Sequence, residues 1–429
     1  MRPPRSVVVG AFVFALVYVA LDLNKLWALR YGADTGTFLQ FLVNEAHGRG
    51  SFDHAEYRYH LQVHDSWTLL ALVPLVAVFP YTQTLLIAQV IAVAAAALPI
   101  AALARACGAT VRAASAVGLA YLISPSAQGL AYGNFLENVF VPLLAAAGAL
   151  AVRLRSLPFS LLCAQLLLGL KEDQALFLLW FGAACALWWD RRIGLWIVVL
   201  AVVNGAAFVL AEWLHGTSSS MPDYAPSIHD PLQKLTFFAT ILAPFAFLPL
   251  RLGWRLLLGA PLAAELVFNA PWAYQITRLG THWTASVVVA TALAAAVAIA
   301  RVPRAAPVVL CFAVLCALTI NDTVLKLGRW PFIVDRAAYA RAVALRGQAS
   351  YAHLPRPEEG VWAVAAANPN VSLDLYHPDE TGYCPGFNTD APAFFASLGW
   401  GRWPAGTTLC GGVAIAATTS DGRRRSAAR

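Results

Sequence analysis

The chain has 429 residues, of which 59% are hydrophobic and only 12% are charged. A soluble domain carries about 25% charged residues, so these apolar stretches exceed what one water-soluble core can bury, which excludes a soluble metal enzyme. The net charge of +7 is spread as single or paired arginines between apolar runs. Membrane topology explains that pattern without nucleic-acid binding.

The first apolar run, residues 6–22, follows Arg2 and Arg5. A signal peptide has the same polarity, but no A-x-A-like cleavage site follows, so we predict an uncleaved helix. The apolar runs together predict an all-α polytopic membrane protein with about eleven transmembrane helices. The shorter run 67–79 is interpreted as a helix at the membrane interface, although it could be a twelfth span. The predicted spans are 6–22, 83–104, 113–126, 138–152, 157–170, 174–190, 193–213, 235–250, 256–270, 284–300 and 305–321.

The arginines predict the orientation of these spans. With the N-terminus inside, each inner loop carries two arginines and no lysine, which is typical of cytoplasmic loops. The outer segments then hold all nine histidines and nearly every carboxylate. We therefore predict a multi-pass protein of the inner (plasma) membrane with a cytoplasmic N-terminus. The inner pairs are Arg105 and Arg112, Arg153 and Arg155, Arg191 and Arg192, Arg251 and Arg255, and Arg301 and Arg304.

Three regions are predicted from this layout. Residues 1–325 form the transmembrane domain with its outer loop 23–67, residues 326–420 form an extracytoplasmic soluble domain, and residues 421–429 form a disordered tail. Two short strands, at 361–365 and 371–375, indicate a small α/β fold in the soluble domain. Cys384 and Cys410 could form a disulfide if that domain is extracytoplasmic.

Ionisable residues at membrane depth are costly and mark functional candidates. Asp34 lies just after the first span, in the run Tyr31-Gly-Ala-Asp-Thr. Its carboxylate could act as a general base or bind a metal at the membrane surface. The alternative is a helix N-cap, which the spacing alone favours because Asp, Thr and Gly suit helix starts.

Two further clusters follow on the same predicted side. His60 and His64 are four residues apart beside Asp65, so they could share a helix face and bind a divalent metal, but two histidines without a third ligand are a weak signature. His64 lining a polar pocket is the better interpretation. Glu137 lies at the outer mouth between two spans, where it could face a substrate or cap the next helix.

The triplet Lys171-Glu172-Asp173 interrupts an apolar stretch. A turn between two spans needs only Gly, Ser or Asn, so three consecutive charges favour a function over a local ion pair. His282 is predicted to cap a span on the same side, and Arg278 would suit a lipid phosphate through charge-assisted hydrogen bonds.

The order of these motifs resembles a bacterial membrane-protein family known as domain of unknown function 2079. By similarity, that family is grouped with the GT-C superfamily of multi-spanning glycosyltransferases, so the resemblance implies a GT-C-like fold over about residues 10–300. The chain departs from the family pattern by lacking a histidine before Glu137 and by having tryptophan after His282. The motifs are Asp34 with Gln40, His64, Thr84 to Gln89 leading to Leu98-Pro-Ile, Lys171-Glu-Asp173, and His282-Trp283.

The resemblance implies transfer of a sugar from a polyprenyl-phosphate carrier to an extracytoplasmic, cell-envelope acceptor. Asp34 would then be the base or, with His64, a ligand of a divalent cation such as Mg²⁺ or Mn²⁺. Glu172 and Asp173 would also be catalytic. The expected substrate-binding residues are His64, Glu137, Lys171, Arg278 and His282.

Two other classes remain open from the sequence. A transporter or flippase for a lipid-linked or polar solute would also place charges inside a helical bundle, but it would need polar groups at mid-membrane. A catalytically inactive assembly protein would merely present the C-terminal domain outside the cell.

Overall fold

The computed structural model describes residues 2–53, 58–62, 64–215, 228–259, 263–264, 267–268, 284–320, 331–374, 408–410 and 413–415. These residues are mostly helical. The helices of the first half are α1 (Arg5–Trp27), α2 (Ala33–Ala46), α3 (Val73–Val78), α4 (Thr82–Ala106), α5 (Val111–Ile123), α6 (Pro125–Tyr132), α7 (Val141–Arg153), α8 (Leu157–Leu168), α9 (Gln174–Trp188) and α10 (Arg191–His215). The remaining helices are α11 (Pro231–Leu242), α12 (Ala285–Ile299), α13 (Ala306–Thr319), α14 (Arg336–Arg346) and α15 (Glu359–Ala365). The strands form three two-stranded pairs: β1 (Phe52–Asp53) with β2 (Arg58–Tyr59), β3 (Ala352–Pro355) with β4 (Val371–Asp374), and β5 (Thr408–Cys410) with β6 (Val413–Ile415).

Helix α4 lies at the centre of the bundle and contacts α1, α5, α7 and α12. Alanines such as Ala96, Ala97 and Ala101 are fully buried along it, and small side chains let neighbouring helices approach closely. By contrast, α1 exposes large apolar side chains, among them Val9 and Phe12. An exposed apolar face of this kind suits contact with lipid.

Among the described residues, three helical stretches are long and apolar enough to cross a membrane: Arg5–Trp27, Thr82–Ala106 and Arg191–Ala211. Other apolar helices, including α5, α8, α9 and α12, are shorter. The expected number of about eleven spans is therefore not confirmed, although apolar helices occur at most of the predicted positions.

Two predicted spans do not form single helices. The run 113–126 is divided because the Ser124 hydroxyl caps α6 by accepting from the Ala127 amide, and Pro125 begins that helix. The run 235–250 is interrupted after α11, because Ala246 and Phe247 both have positive φ. A 3-10 stretch, Leu248–Gly259, follows with a kink at Gly253.

The C-terminal segment 331–374 places α14 and α15 beside a parallel pair, in which Ala352 aligns with Val371 and Leu354 with Leu373. The predicted strand at 371–375 is confirmed by β4. The predicted strand at 361–365 is wrong, because these residues belong to α15. A short apolar run fits a buried helix as well as a buried strand, and residues 360–365 are buried all round.

The α/β domain expected over 326–420 is not established as a whole. The described part beyond residue 374 consists of β5 and β6. Cys384 and the tail 421–429 lie outside the described residues.

Candidate functional site

The turn between α8 and α9 is joined to the segment that precedes α3. The Thr68 amide donates to the Gly169 carbonyl oxygen at 2.7 Å, and the Ser66 hydroxyl donates to that of Leu170 at 3.0 Å. A side chain at Gly169 would clash with the Trp67 indole, so glycine permits this close approach. These contacts bring the residues just before Ser66 beside the charged triplet at 171–173.

Six ionisable side chains meet there, and we name them the ionic cluster: His64, Asp65, Glu137, Lys171, Glu172 and Asp173. The Lys171 Nζ lies 3.4 Å from Glu137 Oε1, and the His64 Nδ1 lies 3.4 Å from Glu172 Oε1. Glu137 comes from a 3-10 turn, Glu137–Phe140, that leads into α7. The cluster thus joins three segments that are distant in the sequence.

Lys171 supplies the positive charge that compensates the carboxylates around it in the cluster. Burial disfavours its ammonium, but Glu137, Glu172 and Asp173 outweigh that cost and raise the pKa of Lys171 above its usual value. Burial likewise opposes ionisation of Glu172, but His64 and Lys171 hold the pKa of Glu172 well below its usual range. Charged Lys171 and Glu172 are therefore the favoured forms at neutral pH.

Two further acids of the cluster, Asp65 and Asp173, have pKa values raised towards neutrality. Burial, reinforced by the charge of Glu172, raises the pKa of Asp65 to about 6. Burial also raises the pKa of Asp173 to about 6, with Lys171 opposing the shift and Glu172 adding to it. Groups with such pKa values can exchange protons near physiological pH, which is typical of functional sites.

Asp34 occupies an exposed position at the start of α2, whereas the following residues 35–44 are buried. The Asn134 amide nitrogen donates to Asp34 Oδ2 at 3.1 Å, and its amide oxygen accepts from the Gly32 amide. The Phe135 amide donates to the Thr35 hydroxyl at 3.1 Å. The loop that ends in Glu137 therefore also fixes the exposed carboxylate of Asp34.

The starts of α9 and α12 are joined at the cluster. Gln174 Nε2 donates to Asp173 Oδ1 at 2.7 Å, and the Ser286 hydroxyl donates to Gln174 Oε1 at 3.3 Å. Gln174 thus orients the Asp173 carboxylate and ties it to a third helix.

The two histidines considered as metal ligands have different surroundings, since His64 lies beside Glu172 whereas His60 lies against aromatic rings. His60 is buried, with its ring stacked on Phe41 at 4.9 Å and edge-on to Phe38, so it packs as a core residue. Within the described ranges, no three His, Cys, Asp or Glu side chains are close enough to hold a metal ion.

The structure brings together five of the predicted site residues, His64, Glu137, Lys171, Glu172 and Asp173, and places Asp34 in the first turn of α2, bonded to Asn134. Arg278 and His282 lie outside the described residues. Sequence reasoning did not single out Asn134 or Gln174 as site residues. Their signal is weak, since both amides are common at turns and helix starts.

A second polar group was also missed. Asp22 is buried in α1, and Lys25 places its Nζ 4.0 Å from the centre of the Tyr31 ring while donating to the Tyr132 carbonyl oxygen at 2.7 Å. An acid within an apolar helix was the available signal.

Fold and site define a mostly helical membrane protein with a polar cluster at one end of its bundle. Residues 25–233 match the sequence model of a family described as "Predicted membrane protein (DUF2079)". The matched region contains Asp34 and the whole ionic cluster. No curated protein and no solved structure matches the chain.

Proposed function

We propose that this protein is an integral-membrane glycosyltransferase of the GT-C type, which moves a sugar from a polyprenyl-phosphate carrier to a cell-envelope acceptor. The observation that carries the proposal is the position of Asp34, an exposed carboxylate bonded to Asn134 in the segment that leads to Glu137 of the buried ionic cluster. The reaction class comes from a resemblance. The order of the motifs is similar to that of the family known as domain of unknown function 2079, which is grouped with the GT-C superfamily.

The proposed site faces the extracytoplasmic side. Helices α7 and α12 both start near the ionic cluster and end close to an arginine, Arg153 and Arg301 respectively. Because arginines favour the cytoplasmic side, the cluster would lie at the opposite membrane surface. A multi-pass arrangement with a cytoplasmic N-terminus and an extracytoplasmic C-terminal region accords with this orientation.

The reaction forms a bond between the acceptor oxygen and the anomeric carbon of the sugar, and breaks the bond from that carbon to the phosphate oxygen. Asp34 accepts the proton of the acceptor hydroxyl as general base. Positive charge develops on the sugar in the transition state, and the carboxylates of Glu172 and Asp173 stabilise it. The phosphate leaves as an anion.

Lys171 is already paired with Glu137, so we assign it to holding the carboxylates in place. Recognition of the leaving phosphate then falls to Arg278, whose guanidinium can bond two phosphate oxygens at once. His64 and His282 are proposed to contact the sugar.

The decisive experiment is complementation of a deletion strain. Surface glycans and lipid-linked sugars are measured after complementation with wild type, Asp34→Asn or Glu45→Gln, the last being a control at the other end of α2. We expect the deletion strain to accumulate lipid-linked sugar and to lose the surface glycan. Complementation with wild type or with Glu45→Gln should reverse both changes. Asp34→Asn should leave roughly 10²- to 10⁴-fold less activity, the usual contribution of a general base.

The variant proteins must be present at equal levels in the membrane, which immunoblotting checks. Full restoration of the glycan by Asp34→Asn would refute the assignment of the base. If deletion changes neither sugar pool, the glycosyltransferase proposal itself is wrong.

A further inference from the structure

A cavity of about 620 Å³ lies between α9, α12, α11, the 3-10 stretch Leu248–Gly259 and Ala263. Helix α9 lines it with Phe177, Phe181 and Trp188, which recur at helical spacing, and α12 lines it with Ala290 and Ala294. From Phe177 to Trp188 the helix rises by about 16 Å. The cavity is therefore an elongated apolar slot, within the usual size range of a ligand site.

Three arginines also line this slot: Arg153, Arg255 and Arg301. Arg153 ends α7, Arg301 lies two residues after the end of α12, and both are exposed. The Arg255 guanidinium carbon lies 5.6 Å from the centre of the Trp188 ring. No acidic side chain is among the described residues that line the slot, so its charge is uniformly positive.

The arginines and the ionic cluster lie at opposite ends of the same helices. Helix α9 starts at Gln174, which bonds Asp173, and ends at Trp188 beside Arg255. Helix α12 starts beside Ser286, which bonds Gln174, and ends next to Arg301. A ligand whose charged group rests on the arginines therefore belongs to the membrane surface opposite the candidate site.

We propose that this slot binds an anionic phospholipid of that membrane leaflet, with an acyl chain along α9 and α12 and the phosphate on the three arginines. An apolar slot ending in arginines is complementary to an amphiphile, whereas a soluble anion would leave the slot unused. Basic pockets between membrane helices bind anionic lipid head groups through charge-assisted hydrogen bonds. The site is distinct from the one proposed for the sugar carrier and does not depend on it.

The test uses the full-length protein, purified in detergent and stripped of lipid. Its melting temperature is measured with phosphatidylglycerol, with phosphatidylcholine of identical acyl chains, and with inorganic phosphate. We expect a larger upward shift with phosphatidylglycerol than with either of the other two. Native mass spectrometry should show bound phosphatidylglycerol.

Two sets of substitutions separate the slot from general charge attraction. The triple variant Arg153→Ala, Arg255→Ala, Arg301→Ala should weaken phosphatidylglycerol binding about tenfold or more and abolish its selective shift. The control variant removes three exposed arginines outside the slot lining, by Arg112→Ala, Arg192→Ala and Arg304→Ala. It should retain phosphatidylglycerol binding and the selective shift in melting temperature.

If the triple variant fails to fold, Ala294→Phe fills the slot while keeping all three arginines, and it should also lose the bound lipid. Equal shifts with the two phospholipids, or an equal shift with inorganic phosphate, would overturn the proposal. The proposal would also be overturned if the control variant lost phosphatidylglycerol binding to the same extent, or if Ala294→Phe bound this lipid as well as wild type. Preferential retention of a polyprenyl phosphate would overturn it too.

Discussion

At the scale of single residues, Lys171 provides the buried positive charge that offsets the carboxylates of the ionic cluster. It lies among Glu137, Glu172 and Asp173, with its Nζ 3.4 Å from Glu137 Oε1 and both side chains of that pair almost fully buried. Removing one partner of such a pair leaves a buried charge without compensation, which costs far more than the intact pair contributes.

We predict that Lys171→Met destabilises the protein by about 3–5 kcal/mol, the usual cost of breaking a buried ion pair. The double variant Lys171→Met, Glu137→Gln should recover much of that loss, because the carboxylate paired with Lys171 at 3.4 Å is neutralised. SDS-induced unfolding of the purified protein measures both values, and Arg112→Met serves as an exposed control. Strictly additive effects of the two substitutions would contradict the predicted coupling.

The raised pKa of Asp65 predicts a pH dependence of stability. Its pKa rises from 3.8 to about 6 on folding, so the folded state binds more protons than the unfolded state between these values. The stabilisation is complete below the unfolded value and is lost as the pH rises through about 6. Asp173 acts in the same direction, whereas Glu172, with its lowered pKa, loses stabilisation as the pH falls.

We therefore predict that the free energy of unfolding declines between about pH 5 and pH 7, and that Asp65→Asn makes the decline smaller. Above its ordinary pKa of 4.5, Glu172 is mostly ionised in both the folded and the unfolded state, so its opposite effect is small over this interval. Unfolding curves for wild type, Asp65→Asn and the control Glu45→Gln test this. An unchanged slope in Asp65→Asn would show that Asp65 does not titrate in this way.

The sequence indicated which residues form the candidate site but not how they pair. Three consecutive charges between apolar runs are detectable because charge is rare in this chain. The pairing of His64 with Glu172 occurs where the Trp67 indole packs on Gly169, a contact between segments about a hundred residues apart. Local sequence patterns carry no signal for such a contact.

At the scale of elements, the C-terminal segment holds α2 in place. Trp362 of α15 is fully buried with its indole against Gly36, where a side chain would clash, and its Nε1 donates to the Ala33 carbonyl oxygen at 3.1 Å. Gln40 donates to the carbonyl oxygens of Asn368 and Val371, both at 3.1 Å. The helix that carries Asp34 is therefore fixed by residues more than three hundred positions later.

We predict that Trp362→Ala lowers stability by about 3–5 kcal/mol through loss of packing and that it frees segment 331–374 for proteolysis. Trp27→Ala is the matched control, because Trp27 is 41% exposed. Limited proteolysis followed by mass spectrometry locates the cleavage. Wild-type protease resistance in Trp362→Ala would mean that this contact does not hold the segment.

Elements were predictable to different degrees. The helical regions follow from long apolar runs, and 67–79 is helical as expected, as a 3-10 helix leading into α3. The error at 361–365 arose because a buried helix and a buried strand share the same short apolar pattern. The break after α11 depends on positive φ at Ala246 and Phe247, residue types that do not usually mark a turn.

At the scale of the whole molecule, the helices α7, α9 and α12 give the bundle two chemically different ends. Their first residues lie at the ionic cluster, and their last residues lie at the arginine-lined end of the slot. Helix α12, Ala285–Ile299, rises by about 22 Å along its length, less than the hydrocarbon core of roughly 30 Å. The flanking turns that carry the charges are therefore expected at or slightly within the membrane surfaces.

The difference between the two ends of the bundle predicts which residues are accessible from outside the cell. In a background without the seven native cysteines, Tyr351→Cys and Arg191→Cys are treated in intact cells with a membrane-impermeant maleimide. Tyr351, 58% exposed beside β3, should be labelled because its segment packs on α2 near Asp34. Arg191, at the start of α10 on the arginine-rich side, should react only after permeabilisation. Labelling of position 191 in intact cells would invert the orientation and move the ionic cluster to the cytoplasm, where an extracytoplasmic acceptor could not reach Asp34.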